Sequence, residues 1–436
     1  MNYSKKVKTE LLSIIDEMET YQWLFTKNPE KDFSRKKKWS FSEMLKFMLT
    51  LEGKTLKNEL LKFFEYDDST PTNSSFNQRR AQILPEAFEF LFHEFTKKSS
   101  DTSKKYKGYR LIACDGSDLC ISHNPDDVAT YFKAKSKKGY NLLHLNTLYD
   151  LNNRTYIDAI IQSLKEKNEC QAMCNMIDNY SGEKAIFIAD RNYESYNVFA
   201  HVVENKMFYL IRVKDINSSG ILKGISLPKT SEFDVCKNLT LTRKHTKETR
   251  INKEKYKNVA YNSKFDYLDS QTQHYYDLPM RILRFPISKN SYECIITNLS
   301  NEEFNTREIK ELYSKRWGIE TSYRELKYAI GLTKFHSKKR EYIYQEIWAR
   351  MILYNFCENI TNSIILEKNK IKKHDYQLNY SYAIHICRYY LSLKEEKAPP
   401  NIEKLISREL LPIRPNRSAP RRVKAQSAMS FLYRVS

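Results

Sequence analysis

The apolar residues in the middle of the chain form short runs, and two of these runs lead directly into an aspartate. Residues 109–114 precede Asp115 and residues 184–189 precede Asp190. Short apolar runs of this kind are typical of buried strands. The pattern also predicts strands over 140–149, 156–161 and 292–298, and helices over 169–179 and 195–205. Three strands, a helix, then a strand and a helix predict a mixed α/β sheet.

The segments that flank this sheet have a different pattern. Residues 1–100 show helical spacing with capping boxes at Ser40/Glu43 and Ser75/Gln78, and helices are predicted over 343–366 and 380–393. Residues 207–290 contain short alternating stretches, which predict a β-rich insertion. The predicted organisation is a helical domain over 1–100, an α/β core over 105–206 and 291–365, the insertion over 207–290, and a helical C-terminal region over 366–436. The basic tail after Pro412 is expected to be extended or disordered without a partner.

Residues 305–330 predict a helix with an unusual polar face. Asn305 and Glu308 form a capping box at its start, and Gly331 stands where helices commonly stop. At about 100° per residue, one stripe roughly 60° wide contains four polar side chains. They are Tyr313, Arg316, Glu320 and Lys327. A carboxylate between cations and a phenol suits a site for metal and phosphate, whereas the alternative is a solvated face with weak ion pairs. Trp317 borders the stripe and argues against a purely solvated face.

Composition indicates a polyanionic partner. The chain of 436 residues carries 73 Lys and Arg against 53 Asp and Glu, for a net charge of +20 and a pI near 9.3. Such an excess points to nucleic acid, although a generally basic proteome would give the same sign. The eight cysteines have neither Cys-x-x-Cys nor zinc spacing, and we see no signal peptide and no run of 18 apolar residues. We therefore expect a cytoplasmic, nucleoid-associated protein with reduced thiols and no contact with membranes.

The segment from Ser74 to Gln82 is a candidate for reading DNA sequence. It contains Arg79 and Arg80 beside Asn and Gln, which are the side chains that bind base edges in pairs of hydrogen bonds. We predict that it is the second helix of a helix-turn-helix-like unit, with a short basic helix over a core as the alternative.

Asp115 and Asp190 after separate strands, with Glu320 on a helix, form a candidate set of catalytic carboxylates. Two-metal sites for phosphoryl transfer hold two ions about 4 Å apart with acidic groups from separate rigid elements. Taken singly, each aspartate has a simpler reading as a cap or turn residue after a strand.

These motifs together resemble the insertion-sequence-four branch of the DDE transposases. The spacing Tyr-x2-Arg-x3-Glu-x6-Lys from Tyr313 to Lys327 is similar to that family's signature, Asp115-Gly-Ser to its first aspartate motif, and Asp190-Arg-Asn-Tyr to its second. The resemblance covers about residues 105–365 and departs from the family at Asn192, where glycine is usual.

The resemblance implies a ribonuclease-H-like α/β core interrupted by a β insertion, with two Mg²⁺ ions as cofactors and Mn²⁺ as a substitute. It implies that Asp115, Asp190 and Glu320 are catalytic metal ligands. It also implies that Tyr313, Arg316 and Lys327 contact DNA near the scissile phosphate and that Trp317 stacks on a displaced base.

We therefore expect a DNA transposase that binds terminal inverted repeats, nicks them and joins the 3′ hydroxyl to target DNA. Its partner would be double-stranded DNA, both element ends and target, and a homodimer would hold two ends together. The alternatives are a ribonuclease-H-fold nuclease without strand transfer and a transposase-derived protein that binds DNA without catalysis.

Overall fold

The computed structural model describes residues 3–35, 38–99, 104–133, 139–269, 271–289, 291–364, 375–394 and 398–413. The helices are α1 Tyr3–Thr20, α2 Phe41–Thr50, α3 Leu56–Phe63, α4 Asn73–Arg80, α5 Glu86–Ser99, α6 Glu169–Asp178, α7 Tyr196–Glu204, α8 Lys247–Ile251, α9 Thr306–Ser314, α10 Trp317–Arg324, α11 Arg340–Ser363, α12 Tyr380–Ser392 and α13 Ile402–Ile406. The strands are β1 Arg110–Ile121, β2 Tyr131–Phe132, β3 Tyr140–Asp150, β4 Thr155–Ser163, β5 Ala185–Ala189, β6 Phe208–Val213, β7 Phe233–Thr242, β8 Tyr256–Asn258, β9 Tyr275–Ser288, β10 Ser291–Thr297, β11 Tyr376–Leu378 and β12 Leu410–Pro412.

One large mixed sheet forms the centre of the described chain. Its strand order is β2-β3-β1-β5-β6-β10-β9-β7-β8, and β4 also pairs with β3. Strand β1 is antiparallel to β3 and parallel to β5, which in turn is parallel to β6. With helices on both faces and at both ends of the chain, this arrangement confirms the predicted ribonuclease-H-like α/β fold class.

The alternation of side chains along β1 separates two cores. Ile112 and Cys114 belong to a cluster with residues of α6 and α7, whereas Ala113 belongs to a cluster on the opposite face with residues of α10 and α11. Successive residues of a strand point to opposite faces. Asp115 therefore points to the face that α10 covers.

The amino-terminal helices share their core with the carboxy-terminal ones. Side chains of α1, α2 and α5 lie in one apolar cluster with those of α11 and α12. Helix α11 is buried on nearly every side, as expected of a helix that lies inside a bundle. Within the described residues, the helical region over 1–100 thus has no separate core, and the proposed division into domains stays a prediction.

The β-rich insertion extends the central sheet. Strands β9 and β7 continue the sheet beyond β10, and β8 lies at its edge. Strand β6, which we placed at the start of the insertion, pairs with β5 of the core.

Local signals at helix starts were partly correct. The Ser40/Glu43 capping box is present. The predicted box at Ser75/Gln78 is wrong, because Thr72 caps α4 by accepting a hydrogen bond from the Ser75 N–H at 3.2 Å.

The basic tail lies outside the described residues from 414 onward. Across the part of the chain that the structure describes, no helix combines the length and apolar character that a bilayer crossing requires.

Candidate active site

The helix with the polar stripe is divided into three pieces. Its start at Asn305 has the predicted capping box, and its end at Gly331 adopts a φ of 94°, which favours glycine. Between these points α9 stops at Ser314, α10 begins at Trp317, and residues Glu325–Ile330 form a π-helical turn. Gly318, a weak helix former, follows the break, and a Cβ there would lie 2.9 Å from a methyl group of Leu151. The break therefore lets the segment approach the sheet closely.

Asp115 lies within a strand and not at its end. We placed Asp115 after a strand, but β1 continues to Ile121 because residues 112–121 pair with β3 throughout. The parallel pairing of β1 with β5 ends beside Asp115, because the last pair in it is Cys114 with Ala189. The prediction of a strand end at Asp115 was therefore wrong, although the aspartate does lie where the neighbouring strand stops.

Asp190 directly follows β5, as the sequence predicted. Its Oδ1 accepts a hydrogen bond from the Asn192 N–H at 2.8 Å and so caps the short 3-10 turn Arg191–Tyr193. Asparagine at 192 is thus compatible with the turn in which relatives usually have glycine.

The charges of the other predicted site residues act on Asp115. Burial, together with the negative charges of Asp190 and Glu320, raises the pKa of Asp115 to about 7, although the Gly116 N–H and the Arg316 charge oppose the rise. A half-buried carboxyl under the influence of two other carboxylates is an arrangement that a cation would stabilise. The structure thus brings Asp115, Asp190, Glu320 and Arg316 into one neighbourhood.

Glu320 is engaged by Arg316. The Arg316 Nη2 lies 2.7 Å from the Glu320 Oε1, and the guanidinium lies 5.3 Å from the Trp317 ring and 5.9 Å from the Tyr313 ring. The Nε of Arg316 and the hydroxyl of Tyr313 are buried and have no hydrogen-bond partner. Both are donors, so together they suit an oxyanion such as a phosphate.

Lys327 and Trp317 occupy different environments. The Lys327 Nζ donates a hydrogen bond to the Asp118 carbonyl oxygen at 2.8 Å, and burial lowers the pKa of this lysine. Lys327 thereby ties the π-helical turn to β1. The Trp317 side chain is 59% exposed, so it is available to stack on a base and is not a core residue.

Arg79 and Arg80 are not presented to DNA, and our prediction for both was wrong. Arg80 is 1% exposed, donates to the Gln345 Oε1 at 2.9 Å and pairs with Glu346 at 3.0 Å. Arg79 is 7% exposed and donates to the Gln82 Oε1 at 2.9 Å. The alternative of a short basic helix over a core is the one observed, because α4 directs Arg80 toward the buried Gln345 and Glu346 and Arg79 toward the partly buried Gln82.

Two further contacts near the site were not singled out from the sequence as functional. His144 is buried, and its Nδ1 lies 2.6 Å from the Asp118 Oδ1. A Cβ on Gly116 would lie 2.3 Å from the His144 Nε2, which explains the glycine after Asp115. The other is Tyr323, whose hydroxyl contacts the Asp115 carbonyl. Tyr323 stands three residues after Glu320 and so lies on the same side of the helix, which is the sequence feature that could have identified it.

The chemistry of the donors fits divalent metal ions, but the side chains are not gathered around one. Carboxylate oxygens are the ligands that Mg²⁺ prefers. Among the described residues, no group of three or more His, Cys, Asp or Glu side chains is close enough to hold a metal as it stands. Glu320 faces Arg316, so this carboxylate must turn before all three could share ions.

The chain is similar to known transposases in sequence. The profile of the family described as "Transposase DDE domain" matches residues 96–356. The chain belongs to the DDE transposases. This DDE transposase is 30% identical over 142 residues to the transposase InsG for insertion sequence element IS4 from Escherichia coli K12, which confirms the likeness to that branch. The match covers 30% of this chain and 31% of InsG, so it spans about a third of that relative.

Among solved structures, this transposase resembles a piggyBac transposase determined by cryo-EM in a synaptic complex with hairpin DNA. The identity is 10% and the TM-score is 0.44, over 94% of this chain and 84% of that one. DDE transposases are phosphoryl-transfer enzymes that normally use divalent metal ions, and Asp115, Asp190 and Glu320 all lie in the matched range.

Proposed function

We propose that this protein is a DNA transposase that binds the terminal inverted repeats of its element, nicks them by hydrolysis and joins the 3′ hydroxyl to target DNA. The observation that carries the proposal is that the charges of Asp190, Glu320 and Arg316 all act on the Asp115 carboxyl, while the buried Arg316 is paired with Glu320. A solvated helix face does not account for it, because Arg316 is 6% exposed and Asp115 is only partly exposed.

In this proposal the three carboxylates hold two Mg²⁺ ions, for which Mn²⁺ can substitute. When bound, such ions supply a nucleophile at neutral pH and stabilise charge on the leaving oxygen. Asp115 and Asp190 come from adjacent strands, and their backbones are fixed by the sheet and by the turn after β5. Glu320 would join them once its partner Arg316 is drawn to a DNA phosphate.

The remaining residues of the stripe orient the DNA. Arg316 and Tyr313 would donate hydrogen bonds from their unpartnered buried atoms to phosphate oxygens beside the cleaved bond. Burial raises the pKa of Tyr313 to about 12, so its hydroxyl keeps its proton at neutral pH. Lys327 adds positive charge from the next turn, and Trp317 would stack on a displaced base.

The partner is double-stranded DNA, and the active complex is a homodimer that holds two element ends. The net charge of +20 supports the first part, because counterion release favours basic proteins on DNA. The second part follows from the reaction, since two ends must be joined in one event.

The test compares nicking and binding of a labelled terminal repeat. Glu320→Gln, Asp115→Asn and Asp190→Asn should each lose nicking in Mg²⁺ and Mn²⁺, while a gel shift shows nearly normal DNA binding. The matched control is Glu311→Gln, because Glu311 forms an exposed pair with Arg307 at the same spacing of four residues. This control should cut like the wild type.

Each contrary result is informative. Near wild-type cutting by Glu320→Gln would reject the carboxylate set. A wild-type protein that binds repeats without metal and never nicks them would instead be a transposase-derived DNA-binding protein. Nicking without joined products would indicate a nuclease.

A further inference from the structure

The hydroxyl of Tyr323 joins the helix that carries Glu320 to the two strands beside it. It lies 2.8 Å from the Asp115 carbonyl oxygen on β1 and 3.1 Å from the Leu145 carbonyl oxygen on β3. It also lies 2.8 Å from the Thr147 hydroxyl, and Thr147 is the register partner of Asp115. A phenol has one proton to donate and lone pairs to accept with, so it can donate to a carbonyl while accepting from Thr147.

This contact acts on the main chain of a proposed metal ligand. Tyr323 is 5% exposed, so water does not compete for the bond. Tyr323 and Glu320 are three residues apart on α10, so they lie on the same side of the helix, roughly 4.5 Å apart along its axis. The hydrogen bonds of Tyr323 therefore fix the position of Glu320 along β1 relative to Asp115.

We infer that Tyr323 is a positioning residue, which sets the separation of Glu320 and Asp115 by bonding the Asp115 carbonyl. The inference rests on the proposed function, since it matters only if both carboxylates bind the same ions. Metal sites tolerate deviations of only about 0.2 Å in ligand distance, so a small slide of α10 against β1 weakens them. Tyr323 itself touches neither metal nor DNA in this scheme.

The chain offers a closely matched control in Tyr156. Its hydroxyl is also buried and bonds the same helix, through the Ser322 hydroxyl at 2.9 Å. Tyr156 comes from β4, which pairs with β3 and not with the strand of Asp115. Tyr156→Phe thus removes a buried hydroxyl from α10 without releasing Asp115.

The experiment measures Mn²⁺ binding by the electron paramagnetic resonance of free Mn²⁺, with a terminal repeat present and in full-length protein. Tyr323→Phe should weaken Mn²⁺ binding about tenfold, as is usual for partners of metal ligands, and slow single-turnover nicking by a similar factor. Its affinity for the repeat in a gel shift should be unchanged. Tyr156→Phe should keep wild-type Mn²⁺ affinity and nicking, even if its melting temperature falls as far as that of Tyr323→Phe.

A second variant tests the inference if Tyr323→Phe does not fold. Thr147→Val removes only one of the partners of the Tyr323 hydroxyl, and it should weaken Mn²⁺ binding in the same direction by a smaller factor. Equal Mn²⁺ affinities in Tyr323→Phe, Tyr156→Phe and the wild type would overturn the inference while leaving the proposed function in place. A wild-type protein that neither binds Mn²⁺ nor nicks would overturn both.

Discussion

The Arg316 guanidinium and the Glu320 carboxylate form an ion pair of 2.7 Å one turn apart, at the point where α10 meets the sheet. The arginine side chain is 8% exposed and the carboxylate 30% exposed, so water screens the pair only partly. Since the Arg316 Nε is buried and without a hydrogen-bond partner, a DNA phosphate bound there as we propose would compete with Glu320 for the guanidinium. Metal binding and DNA binding should therefore be coupled.

Removing the arginine tests this coupling. Arg316→Ala should bind Mn²⁺ more tightly than the wild type without DNA, by about tenfold, because one charge-assisted hydrogen bond of about 1.5 kcal/mol no longer holds Glu320. The same variant should nick more slowly, since a phosphate contact is lost. Titration of free Mn²⁺ with and without repeat DNA gives both numbers. Arg307→Ala, which breaks the exposed pair with Glu311, is the control. Identical Mn²⁺ affinities in Arg316→Ala and the wild type would contradict the coupling.

Substitution of Trp317 tests base stacking separately from any effect on folding stability. Its side chain is 59% exposed, so Trp317→Ala should leave the melting temperature nearly unchanged. Stacking on a base contributes about 1–3 kcal/mol, so the variant should slow hairpin formation or second-strand cleavage more than first nicking. Timed gels of the cleavage products separate these steps. A uniform loss at every step, together with a lower melting temperature, would argue for a role in packing.

Arg80 should contribute to stability and not to DNA affinity. It is fully buried against Glu346, which also contacts Arg350 at 3.0 Å. Removal of one partner from a buried pair costs about 3–5 kcal/mol, and the remaining Arg350 should keep Arg80→Ala near the lower end. Urea unfolding of the variant measures the loss. A DNA affinity that falls at unchanged stability would restore the base-reading role.

Local features of the helical segment were predictable from the sequence, whereas contacts between distant residues were not. The capping box at Asn305 was predictable because it depends only on local residues. The single stripe of Tyr313, Arg316, Glu320 and Lys327 assumed one continuous helix, whereas the segment consists of α9, α10 and a π-helical turn. The long-range contacts could not be predicted in this way. Arg80 looked like a surface residue because its partner Glu346 lies 266 positions away, and the strand through Gly116 depends on pairing with β3.

Asp158 should make the free energy of unfolding depend on pH, independently of catalysis. Burial, with a contribution from the charge of Glu89 and a partial offset from the Ala159 N–H, raises the pKa of this β4 carboxyl to about 7. In the unfolded chain the same group ionises near pH 3.9. Between about pH 4 and pH 7 the unfolded state has therefore released a proton that the folded state keeps, so the free energy of unfolding falls as pH rises through this window and is level above it.

Asp158→Asn removes this dependence because an amide does not ionise. The variant should be more stable than the wild type at pH 8, by on the order of 2 kcal/mol, and nearly equal to it at pH 4.5. Urea unfolding at the two pH values measures both differences. Because the Asp158 Oδ1 lies 3.7 Å from the His93 Nε2, His93→Gln is the companion variant that tests whether this histidine contributes to the slope. A wild-type and an Asp158→Asn protein with parallel stability profiles would mean that Asp158 is already ionised in the folded state at low pH, held so by His93.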